Sequence, residues 1–96
     1  MINMRVCGES ADVVARAGCG LDWFSLLATV DRSVFPMLGA LDPYRDAVFS
    51  QRQIPSLLAE LEQLPAERGG QWVQEVRDLC QVVTQGTHRY LEFIGD

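Results

Sequence analysis

The sequence contains no lysine. All eight of its basic residues are arginine, a composition typical of a bacterial genome with high GC content. The absence of lysine excludes a lysine nucleophile, a Schiff base and the lysine of a phosphate-binding loop. The arginines are spread singly along an acidic chain of net charge −5. Because nucleic-acid binding depends on clustered basic residues, we expect no nucleic-acid partner.

Histidine and cysteine are scarce. His88 is the single histidine, and the three cysteines, Cys7, Cys19 and Cys80, are far apart in the sequence. An odd number of cysteines without close spacing predicts free thiols rather than a disulfide framework. Zinc sites usually contain ligands a few residues apart, and one histidine leaves little scope for an activated nucleophile. We therefore expect no metal, no cofactor, no catalytic residue and no enzymatic activity.

Long apolar runs are also missing. The first eight residues are too short and too polar for the core of a signal peptide. No stretch approaches the ~20 consecutive apolar residues that a membrane-spanning helix needs. We therefore expect a cytoplasmic protein that does not contact a membrane.

The chain does have the composition of a single small domain covering residues 1–96. Its 96 residues are 48% hydrophobic, which is enough for one core and too little for two. Residues 35–46 contain two prolines and several turn-forming residues. The same segment is rich in apolar side chains, which predicts an ordered loop docked on the core rather than a linker.

Two long helices are predicted in the second half of the chain. Apolar residues at helical spacing predict one helix from Ile54 to Leu64, with Glu60 and Glu62 on its solvated face. The same pattern predicts a helix from Gln71 to Gln85, and the short connection favours an antiparallel hairpin. Weaker signals, a capping Ser10 and a capping Asp22, predict two amino-terminal helices, Ala11 to Ala17 and Trp23 to Val30.

Two segments have the character of strands. Residues 88–94 place Leu91 and Phe93 on one face and further apolar residues on the other, which predicts a strand that the fold covers. Residues 2–7 alternate weakly and predict a second short strand. The predicted fold is therefore α+β: a helical hairpin and the amino-terminal helices pack on a small sheet that includes the carboxyl-terminal strand. A fully helical fold is the alternative.

Candidate partner-binding residues fall in two segments. Asp42 and Asp46 are four residues apart, and we expect Asp42 to shape a turn before Pro43, with a contact to a partner as the alternative for both acids. The two tyrosines combine an apolar ring with a polar end, which suits an exposed recognition surface. The full candidate set is Asp42, Tyr44, Asp46, His88, Tyr90 and Asp96.

Three blocks of the sequence resemble a pattern in small acidic proteins of actinobacterial type. These blocks are Leu41 to Phe49, Gln53 to Leu61 and His88 to Asp96, and the pattern brings no known active site. In size and charge the chain also resembles the immunity proteins that accompany bacterial toxins. This resemblance implies a non-enzymatic domain that neutralises a toxin, with a basic toxin or a complex subunit as its protein partner. Two alternatives stay open: an assembly subunit that forms a homo-oligomer or part of a larger complex, and a small ligand-binding domain or enzyme.

Overall fold

The computed structural model describes residues 1–95, and the candidate residue Asp96 lies outside the described residues. The elements follow one another as β1 (Asn3–Cys7), β2 (Val13–Arg16), α1 (Trp23–Leu26), β3 (Ala47–Phe49), α2 (Ile54–Gln63), α3 (Gln71–Thr84) and β4 (Tyr90–Ile94). Short 3₁₀ turns, Gln51–Gln53 and Ala66–Arg68, precede α2 and α3. The predicted α+β fold is confirmed.

The strands form an antiparallel sheet in the order β2-β1-β4-β3. Its centre is the ladder between β1 and β4, in which Met4 lies opposite Phe93 and Val6 lies opposite Leu91. All four of these side chains are buried. The strands predicted at residues 2–7 and 88–94 are therefore confirmed as β1 and β4, although β4 begins two residues later than predicted.

The helix predicted from Ala11 to Ala17 is wrong, because this segment forms β2. The Gly8 N–H donates to the Asp12 carbonyl at 2.8 Å, which closes a turn and brings the chain back alongside β1. A two-turn helix is marginal without tertiary support, and Val13 and Val14 are β-branched, which favours a strand. Pairing with β1 therefore prevails over the capping signal of Ser10.

The helix predicted from Trp23 to Val30 is shortened to the single turn of α1. Its cap is as predicted, since Asp22 Oδ1 accepts from the Ser25 N–H at 3.4 Å and Oδ2 accepts from the Ser25 hydroxyl at 2.7 Å. Past this turn, Arg68 Nη1 donates to the Leu26 carbonyl at 3.1 Å and to Thr29 Oγ1 at 2.9 Å. The side chain of Arg68 thus supplies a partner for a carbonyl at the end of α1, and the predicted pair of amino-terminal helices is reduced to one short helix.

Both long helices are confirmed, each to within one residue of its predicted end. They contact each other, and α3 also contacts β1, β2 and β4. The helices and the inner face of the sheet contribute to one hydrophobic cluster, in which each fully buried Leu or Phe stabilises the fold by about 1.5–3 kcal/mol. Among residues 1–95, no helix has the length and apolar character needed to cross a bilayer.

Glu60 is not on a solvated helix face, which corrects the prediction for this residue. It is buried, and its carboxylate accepts from the backbone N–H groups of Met37 and Leu38 at distances of 3.0 to 3.2 Å. Glu60 follows the buried Leu57 by three positions, so it lies on the same side of α2. The chain before β3 folds back over this side and supplies donors for the carboxylate.

Candidate functional site

An exposed aromatic cleft lies between α1 and the loop that precedes β3. Phe24 and Tyr44 are 60% and 70% exposed, and their ring centroids are 6.1 Å apart with the ring planes at 62°. Trp23 packs edge to face against Phe24, with ring centroids 5.4 Å apart. The cleft has a volume of about 380 Å³ and is lined by Trp23, Phe24, Arg32, Ala40, Leu41, Asp42, Pro43 and Tyr44.

The Phe24 side of the aromatic cleft is held in place from both ends of α1. Before the helix, Leu21 and Ile2 exchange two backbone hydrogen bonds of 2.8 and 3.0 Å, which ties the chain to the start of β1. After the helix, Arg68 binds the Leu26 carbonyl. Phe24 is therefore an exposed ring on an anchored turn. Binding a partner would cost little conformational entropy here, because the backbone is already held in place.

The Tyr44 side is a turn built by Asp42. The Tyr44 N–H donates to Asp42 Oδ1 at 2.8 Å, and the Arg45 N–H donates to the Asp42 carbonyl at 3.2 Å. Arg45 Nε also lies 3.8 Å from Asp42 Oδ2. These contacts give Asp42 the turn-forming role that Pro43 suggests, while its side chain also lines the aromatic cleft.

Asp46 anchors the same loop to the sheet. Its Oδ1 accepts from the Gly95 N–H at 3.1 Å, so the loop and the segment after β4 are joined. A Cβ atom on Gly95 would overlap the backbone nitrogen and oxygen of Arg45. Glycine is therefore required at position 95 by the close approach of two backbones. Asp46 itself does not line the aromatic cleft.

His88 and Tyr90 are both exposed, but they lie at the other end of the β3–β4 pair. They line a separate depression of about 160 Å³ with Ser50, Gln51, Arg52 and Arg89. Ser50 is four positions after Asp46, which at ~3.3 Å per strand residue amounts to about 13 Å. His88 has a φ of 54°, a conformation that histidine tolerates better than most residues. The predicted residues therefore do not form one site.

The thiols lie mostly inside the fold. Cys7 and Cys80 are buried and Cys19 is half-buried. Burial raises the pKa of the Cys80 thiol to about 11, and burial together with the neighbouring Glu92 carboxylate raises the pKa of Cys7. Both thiols are therefore protonated at neutral pH. Within residues 1–95, the structure contains no group of three or more His, Cys, Asp or Glu side chains placed to hold a metal ion.

Sequence reasoning missed Phe24, the most exposed part of the α1 side of the cleft. Trp23, the residue before it, is partly buried against the core. Adjacent residues on a helix do not face the same way, so an aromatic residue directly after Trp23 has to point elsewhere. That spacing was the available signal for an exposed ring.

In comparisons with protein-family models, with curated proteins and with solved structures, nothing matches this chain.

Proposed function

We propose that this protein is a non-enzymatic binding domain that neutralises another protein, and that it binds its partner through the aromatic cleft. The observation that carries the proposal is the pair of exposed rings, Phe24 and Tyr44, each held by a local hydrogen-bond network. Aromatic side chains supply much of the energy at protein interfaces because they bury a large area and have few rotatable bonds. Exposed apolar patches with a polar rim are typical of interaction sites.

Charge favours a basic partner. The chain has a net charge of −5. Within the cleft the carboxylate of Asp42 is balanced by the guanidinium of Arg32, so the preference for a basic partner comes from the acidic surface as a whole. Complementary potentials speed association and select partners of opposite sign. A toxin that acts on nucleic acid needs a basic surface for its polyanionic substrate, so an acidic immunity protein that covers this surface fits the proposal.

Immunity proteins accompany their toxins, so the protein encoded by the neighbouring gene is the partner to test. Calorimetry measures its binding to this chain. We expect Phe24→Ala and Tyr44→Ala each to weaken binding about 30-fold, the loss typical of a central aromatic contact, which corresponds to about 2 kcal/mol. Tyr90→Ala is the matched control, because Tyr90 is an exposed tyrosine outside the cleft, and it should change the affinity less than threefold by the same measure. Circular dichroism verifies that each variant is folded.

Two results would contradict this proposal. If Phe24→Ala and Tyr44→Ala bind as tightly as the wild type, the aromatic cleft is not the interface. If Tyr90→Ala alone abolishes binding, the partner is recognised at the opposite end of the β3–β4 pair. In a cellular assay, the wild-type chain should protect cells that express the toxin, and the two cleft variants should not.

A second candidate function, assembly into a homo-oligomer, is favoured by β2. Among residues 1–95 this strand pairs only with β1, so its other edge has backbone groups available for a further strand. Val13 and Val14 are each 39% exposed there. A molar mass that rises with protein concentration in light scattering, and that returns to the monomer value in Val14→Lys, would support assembly. A constant monomer mass would exclude it in favour of the binding domain.

A further inference from the structure

The outer face of the sheet carries an unbalanced row of charges. The strand register places Arg16 of β2, Arg5 of β1 and Glu92 of β4 side by side. The Ala17 N–H donates to the Met4 carbonyl at 3.0 Å, so the adjacent pair of Arg5 and Arg16 is a non-hydrogen-bonded pair. Side chains approach most closely in pairs of this type. Two guanidinium groups therefore lie side by side. Arg5 has the carboxylate of Glu92 opposite it on the next strand, whereas Arg16 is two strands away from that carboxylate.

These two arginines have N–H donors that lack hydrogen-bond acceptors within the described part of the chain. Arg5 Nε lies 3.6 Å from Glu92 Oε1, which is an ion pair but is too long for a hydrogen bond. This Nε atom is buried and has no hydrogen-bond partner within the described part of the chain. Arg16 is exposed, and it makes no ion pair with any of residues 1–95. Like charges opposed across a sheet are destabilising, and an acceptor between them would relieve this cost.

Both arginines line the same pocket, which we name the arginine pocket. It has a volume of about 200 Å³ and is formed by Asn3, Met4, Arg5, Arg16, Ala17 and Ile94. Arginine is the residue best suited to bind phosphate, because its planar guanidinium offers several donors in a fixed arrangement. The amide of Asn3 can add a neutral donor from the same strand as Arg5.

We propose that the arginine pocket binds the phosphate group of a small ligand. Arg5, Arg16 and Glu92 together carry one excess positive charge, so an anion is favoured locally even though the whole chain is acidic. A phosphate has oxygens directed to several sides and can accept from both guanidinium groups and from Asn3 at once. A planar carboxylate is suited to one such fork. This site does not depend on the proposed function, because its residues do not line the aromatic cleft.

An NMR titration of the ¹⁵N-labelled protein with inorganic phosphate, at constant ionic strength, tests the site. We expect saturable shifts of the Arg5 and Arg16 side-chain N–H signals and of the Ala17 amide. Arg16→Gln should weaken binding about tenfold, or about 1.4 kcal/mol, and its exposed position makes the variant compatible with folding. Arg52→Gln is the matched control, because Arg52 is also exposed but lies in the other depression.

Several outcomes would overturn this assignment. They are shifts that stay linear in phosphate concentration, an equal weakening by Arg52→Gln, or equal binding of acetate. A second measurement uses thermal unfolding: phosphate should raise the midpoint of the wild type and of Arg52→Gln, and should leave Arg16→Gln unchanged. Phosphoserine then separates two sources of the anion, since tighter binding than inorganic phosphate indicates a phosphate monoester and equal binding indicates free phosphate.

Discussion

A buried carboxylate is costly unless donors surround it, and Glu60 meets this requirement with two backbone N–H groups. The bonds to Met37 and Leu38 join α2 to the loop that continues into Ala40 and Leu41, which line the aromatic cleft. Glu60 therefore supports the proposed interface indirectly, through the loop that it holds. It fixes one wall of the cleft without being part of its surface.

Replacing Glu60 by Ala should lower the free energy of unfolding by about 2 kcal/mol, because two buried N–H groups lose their acceptor. Glu62→Ala is the control. Glu62 is an exposed acid on the same helix, and its removal should change stability by less than about 0.5 kcal/mol. Urea denaturation of the three proteins measures both effects. Equal stability of the two variants would show that the Glu60 hydrogen bonds contribute nothing.

Cys80 should make stability fall at high pH. Its thiol has an ordinary pKa of 9.0, which burial raises to about 11 in the folded chain. The unfolded chain therefore releases this proton first, so the stabilisation is complete below pH 9 and is lost as the pH rises towards 11. Urea denaturation across this range should show the wild type losing more stability than Cys80→Ala. Parallel curves for the two proteins would contradict the prediction.

Among the helices and strands, those whose apolar pattern lies within a single segment can be predicted from the sequence. The spacing of Leu57, Leu61, Val76 and Val83 is contained within single helices, so α2 and α3 follow from sequence alone. The strand β2 exists because β1 is available as its partner, and this information lies outside its own four residues. Competition of this kind, between weak local propensity and tertiary pairing, is what sequence patterns miss.

In the candidate site, too, residues with a local sequence signal can be predicted, and residues brought together by tertiary contacts cannot. Asp42 follows from the sequence because the Asp-Pro pair is a local turn signal, and Tyr44 follows because its ring combines an apolar face with a polar end. The turn does place the tyrosine at the surface. Phe24 completes the aromatic cleft from a segment about twenty residues earlier, and nothing local to either segment indicates that they meet. His88 and Tyr90 lie together near the start of β4, in a depression that is separate from the cleft.

The junction between the loop and β4 should be sensitive to a single methyl group. Gly95→Ala places a Cβ against the Arg45 backbone, so the loop has to shift, and we expect a loss of about 1–3 kcal/mol. Gly69→Ala is the control, because its Cβ would meet nothing closer than 3.5 Å. Denaturation measures stability, and the NMR signals of the Tyr44 ring report the displacement. An unchanged Tyr44 spectrum in Gly95→Ala would contradict the close approach.

The whole molecule presents two surfaces of different chemical character. The described chain has a radius of gyration of 12.4 Å, close to the ~13 Å of a folded chain of about 100 residues. Within this small volume, the aromatic cleft has two exposed rings with one acid and one arginine beside them, whereas the arginine pocket has two arginines. The two surfaces share no lining residue, so the two proposals predict that a partner protein and a phosphate-bearing ligand bind independently of each other.

The order of the strands has a consequence for biosynthesis. The two central strands are β1 and β4, and their register pairs Asn3 with Ile94. During translation β1 leaves the ribosome before β4, and its apolar residues lack this partner strand until more than eighty further residues have been made. Contacts so distant in sequence slow folding. A nascent chain stalled before Tyr90 should therefore expose β1 to chaperones and proteases, and completion of β4 is the step that closes the sheet.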